Sequence, residues 1–267
     1  ALRKIGPEIV LAGTVNGNVF KINLDEEKVT RVHKSNYQID KIHTDLDKNI
    51  YISTSESFEV FNSKYELIFS KYFTVSYTYQ DFLDEIYISS KNKIFKFNNN
   101  NLESIKIDIN SSESINTFDM VYSLKDDQYI LLIGSESGKL IVQNSKTKNN
   151  FKLAGEKIIH SDMITESYLD YNNRTLYTSS LDNQLIKFRL DSYEAVGMEN
   201  ENSNLTSRFL SQIILDGNKK PVRKINKYFD PIGKERIITV DDNGNVLSWY
   251  ANFKDLITKV KELASFK

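Results

Sequence analysis

The chain contains no cysteine among its 267 residues, which excludes disulfide bonds, thiolate metal ligands and a cysteine nucleophile. Its charges nearly balance, 35 basic against 36 acidic, so no net charge draws it towards nucleic acid or an anionic membrane. No apolar run approaches the ~20 residues that span a bilayer, and the first residues lack the apolar core of a signal peptide. We therefore expect a cytoplasmic protein that does not bind membranes. Because the chain begins without Met, we expect it to be part of a larger protein or complex.

Residue types that carry chemistry are also scarce. There are only three histidines, and the spacing of His33 and His43 is not that of metal ligands. The ten glycines include no phosphate-binding pattern. Residues 241–245 resemble the start of a calcium-binding loop but lack the later Glu, so we expect a hairpin turn there. The sequence predicts no catalytic residues, no metal site and no cofactor.

The chain is rich instead in a repeated pattern of strand, small-residue turn and strand. Six stretches show it, with starts 40, 36, 45, 45 and 61 residues apart: 11–22, 51–61, 87–97, 132–143, 177–188 and 238–249. A repeat of this period indicates one supersecondary unit used many times. Three of the turns contain glycine, which favours β-hairpins: Asn16-Gly17, Ser137-Gly138 and Asn243-Gly244.

Residues 158–198 show the unit most completely. A tight turn is expected at 181–183, and four strands are expected at 162–169, 175–180, 184–190 and 193–198. Four short antiparallel strands in about 40 residues are typical of a β-propeller blade. The predicted fold class is therefore all-β, a β-propeller of four-stranded antiparallel blades over residues 1–250. Six blades are visible, and a seventh is possible.

Two segments interrupt this pattern. Residues 199–220 are polar and then apolar, which predicts an insertion loop within the propeller domain. Its apolar residues must be buried against the propeller or a partner, and they form the candidate protein interface: Phe209, Leu210, Ile213 and Ile214. Residues 251–267 have apolar side chains at helical spacing, which predicts a C-terminal amphipathic helix at about 253–265. This helix could pack on the propeller or dock on a partner.

A basic cluster follows the expected loop and forms a candidate basic patch: Lys219, Lys220, Arg223, Lys224 and Lys227. Cations grouped in this way can contact phosphates. They can equally form a solvated strand edge, where lysine discourages pairing with other strands. Strand alternation predicts that Arg223 and Lys227 share one face and that Lys224 lies on the other.

The fifth unit resembles the WD-repeat family in its polar residues. His160 precedes the first strand, Ser180 ends the second, Asp182 lies in the tight turn, and Phe188 follows six residues later. Phe188 stands where the family has Trp, and Arg189 stands where it has Asp. The resemblance implies a structural tetrad in which a buried histidine is hydrogen-bonded between a hydroxyl and a carboxylate.

The other units resemble the family less closely. Trp249 keeps the family's spacing after Gly244 but is followed by Tyr250, and the remaining four units keep only the strand pattern. The resemblance implies a non-enzymatic propeller that acts as a protein-interaction, scaffold or sensor domain.

A fainter likeness to the C-terminal propeller sensor domains of bacterial multidomain signalling ATPases rests on Asp255-Leu256-Ile257. It implies a protein partner or a linked effector domain. Two alternatives stay open: a propeller enzyme that acts on sugars through a central polar funnel, and an RNA-associated scaffold that uses segment 219–227. Of these partners, we favour a protein over nucleic acid.

Overall fold

The computed structural model describes residues 1–81, 83–123, 127–170, 175–190, 209–215, 217–251 and 255, without the side chains of 189–190 and 209–213. Within these residues the structure consists of antiparallel β-sheets, each built from strands that follow one another in the chain. The chain forms two compact units, Ala1–Ile115 with Thr147–Phe151, and Asn116–Lys146 with Lys152–Lys267.

The first unit contains three four-stranded sheets. The first sheet consists of β1 (Leu2–Lys4), β2 (Ile9–Gly13), β3 (Asn18–Asn23) and β4 (Lys28–Lys34). The second consists of β5 (Lys41–Thr44), β6 (Ile50–Ser53), β7 (Ser57–Phe61) and β8 (Leu67–Tyr72). The third consists of β9 (Tyr77–Gln80), β10 (Ile86–Ser90), β11 (Lys93–Asn98) and β12 (Asn101–Ile105).

The second unit contains three further sheets. The fourth sheet consists of β13 (Ile115–Ser123), β14 (Gln128–Ser135), β15 (Lys139–Ser145) and β16 (Lys152–Ile158). The fifth consists of β17 (Ile164–Asp170), β18 (Thr175–Ser180), β19 (Leu185–Leu190) and β20 (Phe209–Leu215). The sixth has three described strands, β21 (Val222–Phe229), β22 (Glu235–Asp241) and β23 (Val246–Tyr250).

The hydrophobic core lies between neighbouring sheets, and in the second sheet the middle strands are buried on both faces. Every residue of β6 and of β7 is buried, whereas β8, at the edge of the same sheet, is mostly exposed. One apolar cluster joins the first and second sheets through Leu11 and Ile50. Another joins the fifth and sixth sheets through Leu185 and Ile237. Sheets packed face to face in this way need strands that are apolar on both sides.

The predicted all-β architecture is confirmed, including the six visible units as six sheets. In the fifth unit, β18 has its expected bounds, and β17 and β19 begin within two residues of theirs.

The fifth sheet differs from expectation in its fourth strand. Residues 193–198 lie outside the described residues, and the fourth strand is β20, which pairs with β19 in the register Ile186 to Ile214. The apolar half of the expected insertion loop is therefore a strand. Its apolar residues complete a blade, because they extend the ladder that β18 and β19 begin.

Glycine ends three of the hairpin loops, as the sequence predicted. Gly17, Gly138 and Gly244 have φ values of 77°, 77° and 76°, a backbone conformation that glycine adopts without steric cost. The residue before each glycine does not share this conformation, so each turn has its positive φ at the glycine. A Cβ on Gly138 would lie 2.3 Å from the His160 carbonyl oxygen, which ties this turn to the start of the next sheet.

The predicted C-terminal helix at 253–265 lies outside the described residues apart from Asp255. In the part of the chain that is described, no helix is long and apolar enough to cross a membrane.

Candidate functional site

His160 is the most deeply buried histidine, with 2% of its surface exposed. Its Nδ1 atom lies 3.0 Å from Asp182 Oδ2, and its Nε2 atom lies 2.9 Å from Thr178 Oγ1. A neutral imidazole fits both contacts, since Nδ1–H donates to the carboxylate and Nε2 accepts from the threonine hydroxyl. The ring therefore links the segment before β17 to β18 and to the turn that follows it.

The electrostatics of this cluster favour a neutral histidine beside a charged carboxylate. Burial lowers the pKa of His160, and the neighbouring Asp182 charge offsets only part of this effect. Burial alone would raise the pKa of Asp182, but hydrogen bonds from the Gln184 and Ser161 backbone N–H groups and from His160 hold it below its usual range. The cluster thus satisfies its polar atoms internally, which is what a structural network requires.

Ser180 has a different contact from the one that the WD-repeat resemblance implies. Its hydroxyl donates to the Asp162 carbonyl at 3.0 Å and accepts from the Asp182 backbone N–H at 3.1 Å. The hydroxyl next to His160 belongs to Thr178, which lies two residues earlier on the same face of β18. Period-2 alternation was the signal that could have identified it. Phe188, the fourth expected member, is fully buried in the apolar cluster between the fourth and fifth sheets.

A related cluster in the sixth sheet was missed by the sequence analysis. Trp249 Nε1 donates to Thr239 Oγ1 at 3.2 Å, and this hydroxyl donates to Asn218 Oδ1 at 3.1 Å. Thr239 lies ten residues before Trp249, as Thr178 lies ten before Phe188. Asn218 precedes β21 as the histidine precedes β17. The sixth sheet therefore keeps the indole donor and has an amide where the fifth has an imidazole.

The other two histidines also have structural neighbours. His43 Nε2 lies 3.3 Å from the Thr78 carbonyl oxygen. Burial, followed by the nearby charges of Lys41 and Arg3, lowers the pKa of His43 to about 3. His33 Nε2 lies 2.8 Å from a carboxylate oxygen of Glu59. Among the described residues, no group of three or more His, Asp or Glu side chains could hold a metal ion.

The candidate basic patch is largely neutralised. Lys224 Nζ lies 2.7 Å from Glu166 Oε2, and Lys227 Nζ lies 2.8 Å from Asp170 Oδ2. Arg223 pairs with Asp242 through two nitrogens, one of them 3.0 Å from Oδ2. Lys219 and Lys220 are exposed.

The expected alternation along this segment is wrong. Lys224 and Lys227 both contact β17, and Arg223 points to the β22–β23 turn instead. A shift in register between Val222 and Lys224 leaves Arg223 as an extra residue in β21, so Arg223 does not share the side that Lys227 occupies. The cations are therefore divided among several partners and do not form one basic face.

The candidate protein interface lies on β20. Phe209, Leu210, Ile213 and Ile214 all belong to this strand. In the described part of the chain β20 pairs on one side only, with β19, so it is the edge strand of the fifth sheet. Ile214 exposes 50% of its surface, whereas Leu215 packs against the apolar cluster that the fifth and sixth sheets share.

The fold is similar to that of WD40 β-propellers. The β-propeller domain of Cps50 (Swd1) from Myceliophteria thermophila matches with a TM-score of 0.64 and 12% identity, over 91% of this chain and 80% of that one. A chain of the mitotic checkpoint complex matches with a TM-score of 0.65 and 10% identity, over 91% and 71%. The WD40 β-propeller domain of Doa1 matches with a TM-score of 0.63 and 11% identity, over 92% and 76%.

No protein-family model and no curated protein matches the sequence. At sequence identities of 10–12%, the structural matches show only a shared fold, and they confirm the WD-repeat resemblance as a resemblance in fold. The chain has the fold of a WD40-like β-propeller with six blades of antiparallel strands.

Proposed function

We propose that this chain is a non-enzymatic protein-interaction domain that serves as a scaffold or sensor within a larger protein or complex. The observation that carries the proposal is β20, a strand of apolar sequence at the edge of the fifth sheet on which Ile214 exposes 50% of its surface. Edge strands present unpaired backbone N–H and C=O groups, and a partner strand can pair with them. The segment from Phe209 to Leu215 contains no charged residue or proline that would discourage such pairing.

The side chains that could carry chemistry support this view, because they are engaged in holding turns and strands. The His160 ring is enclosed by Asp182 and Thr178, and His43 lies against a backbone carbonyl. Contiguous apolar surface at a sheet edge is typical of an interaction site, and the sequence of β20 is apolar around the exposed Ile214. The partner surface is accordingly proposed to be Phe209, Leu210, Ile213 and Ile214.

A protein partner is favoured over RNA by the charges of segment 219–227. An RNA-binding surface needs cations that are available to phosphates. Lys227 exposes only 10% of its side chain and contacts two carboxylates, Asp170 and Glu235, at 2.8 Å each. Arg223 and Lys224 are also paired with carboxylates. A linked effector domain or a separate protein is therefore the proposed partner.

The test is affinity capture with the full chain as bait, followed by light scattering of the purified complex. The unmodified chain is expected to retain one partner in stoichiometric amount. Ile214→Lys should abolish the complex, because it places a charge on the exposed edge strand. Val29→Lys is the matched control, since Val29 lies on the edge strand β4 and exposes 61% of its surface.

Two results would contradict the proposal. One is a complex that both variants retain equally, which would remove β20 from the interface. The other is turnover of a sugar substrate by the purified chain, which would establish the enzymatic alternative.

A further inference from the structure

A pocket of about 370 Å³ opens in the first unit between the end of β8 and the hairpin of β10 and β11. Three lysines lie around it, Lys71 on β8, Lys91 in the hairpin loop and Lys93 at the start of β11. All three are exposed to solvent. No function considered above uses this pocket.

The charge of the pocket is not compensated. No Asp or Glu belongs to its lining. In the part of the chain that the structure describes, Lys71, Lys91 and Lys93 form no ion pair, whereas the nearby Lys96 pairs with Glu85. Three ammonium groups around one cavity repel one another, and an anion bound between them would remove that repulsion.

The rest of the lining combines apolar surface with neutral hydrogen-bonding groups. The rings of Phe73 and Phe95 lie 6.2 Å apart at 73°, in an edge-to-face arrangement. The Thr74 and Ser90 hydroxyls and the Asn92 amide also line the cavity. A ligand with a charged end and a carbon chain would match both parts of this lining.

The hairpin that carries two of the lysines has an unusual backbone. Its loop consists of Lys91 and Asn92 alone, whereas the equivalent loops of the other five sheets contain three or four residues. Lys91 has a φ of 52°, a left-handed conformation that is strained for residues other than glycine. In the equivalent turns of the first, fourth and sixth sheets, glycine takes the left-handed position. A lysine is therefore held at the edge of the pocket at some energetic cost.

We propose that this pocket binds a phosphorylated side chain of a protein partner. A phosphate monoester carries close to two negative charges and three acceptor oxygens, which three lysines and the neighbouring hydroxyls can bind. The two phenylalanines would contact the carbon atoms of the bound residue. A single cavity suits one side chain better than the continuous backbone of a nucleic acid. The proposal rests on the proposed function, because it assumes that the ligand belongs to a protein.

The test uses a peptide library with one fixed phosphoserine and randomised flanking positions, beside a matched library with serine. The unmodified chain should retain the phosphoserine library at least about tenfold more than the serine library. The variant with both Lys91→Ala and Lys93→Ala should lose this preference. Lys64→Ala is the control, because Lys64 is exposed on the neighbouring second sheet and does not line the pocket. Circular dichroism melting of each variant verifies that it is folded.

Each remaining outcome has a definite meaning. Equal retention of both libraries, or retention that the double variant leaves unchanged, overturns the proposal. Tighter binding of a single-stranded oligonucleotide than of the phosphoserine library would replace it with a nucleic acid site. If the unmodified chain binds its partner through β20 but retains the phosphoserine library no better than the serine library, the pocket proposal fails and the proposed function stands.

Discussion

Replacing Asp182 with alanine should destabilise the fifth sheet more than any exposed carboxylate substitution. The carboxylate exposes only 5% of its side chain and accepts three hydrogen bonds. Its donors are His160 Nδ1 at 3.0 Å, the Ser161 backbone N–H at 3.1 Å and the Gln184 backbone N–H at 2.9 Å. Each bond contributes about 1 kcal/mol net, so Asp182→Ala should lower the free energy of unfolding by about 3 kcal/mol.

Urea unfolding followed by circular dichroism measures this loss, provided that the slope of the free energy against urea is unchanged. Asp162→Ala is the control, because Asp162 is exposed and its carboxylate accepts one local bond from the Met163 backbone N–H. It should cost less than about 1 kcal/mol. Thr178→Val removes the donor to His160 at nearly constant volume and should cost about 1 kcal/mol. If Asp182→Ala costs no more than Asp162→Ala, the cluster does not hold the turn as we describe.

Three further substitutions test other parts of the structure by the same unfolding measurement. Gly138→Ala should lower the free energy of unfolding clearly more than Gly233→Ala does. Both glycines have a positive φ, but only a Cβ at position 138 would meet a backbone carbonyl. Equal losses of stability would contradict this packing. The pKa of His43 is lowered by folding, so protonation in the unfolded state should reduce stability as the pH falls below about 6.5. Between pH 7 and pH 5 the free energy of unfolding of the unmodified chain should fall by about 1–2 kcal/mol more than that of His43→Gln. Equal losses would show that His43 does not take up a proton on unfolding. Trp249→Phe should cost about 1 kcal/mol by removing the donor to Thr239, and a neutral result would mean that this bond contributes nothing.

The strands that the sequence predicted best have clear ends. β18 was predicted to the residue because its β-branched and aromatic run stops at the turn around Asp182. β20 was missed as a strand because a long connection separates it from β19. Its run from Phe209 to Leu215 also shows no alternation that distinguishes a strand from a buried loop segment.

The polar clusters were predicted less well, because their partners are set by register. Thr178 and Ser180 lie on the same face of one strand, and only the ladder determines which hydroxyl meets His160. The pairing of Lys227 with Asp170 joins residues 57 positions apart. A shift of one residue in β21 also turned Arg223 away from that neighbour and towards Asp242. Sequence spacing alone does not contain this information.

The most direct test of the interaction proposal is site-specific crosslinking in the native complex. A photoreactive group installed at position 214 should crosslink to one partner protein or linked domain, because Ile214 is exposed on the edge strand β20. The same group at position 29, on the edge strand β4, serves as the reference. The proposal predicts a single crosslinked partner from position 214 and none from position 29. Crosslinking at position 29 alone, or at neither position while the complex remains intact, would contradict β20 as the binding surface.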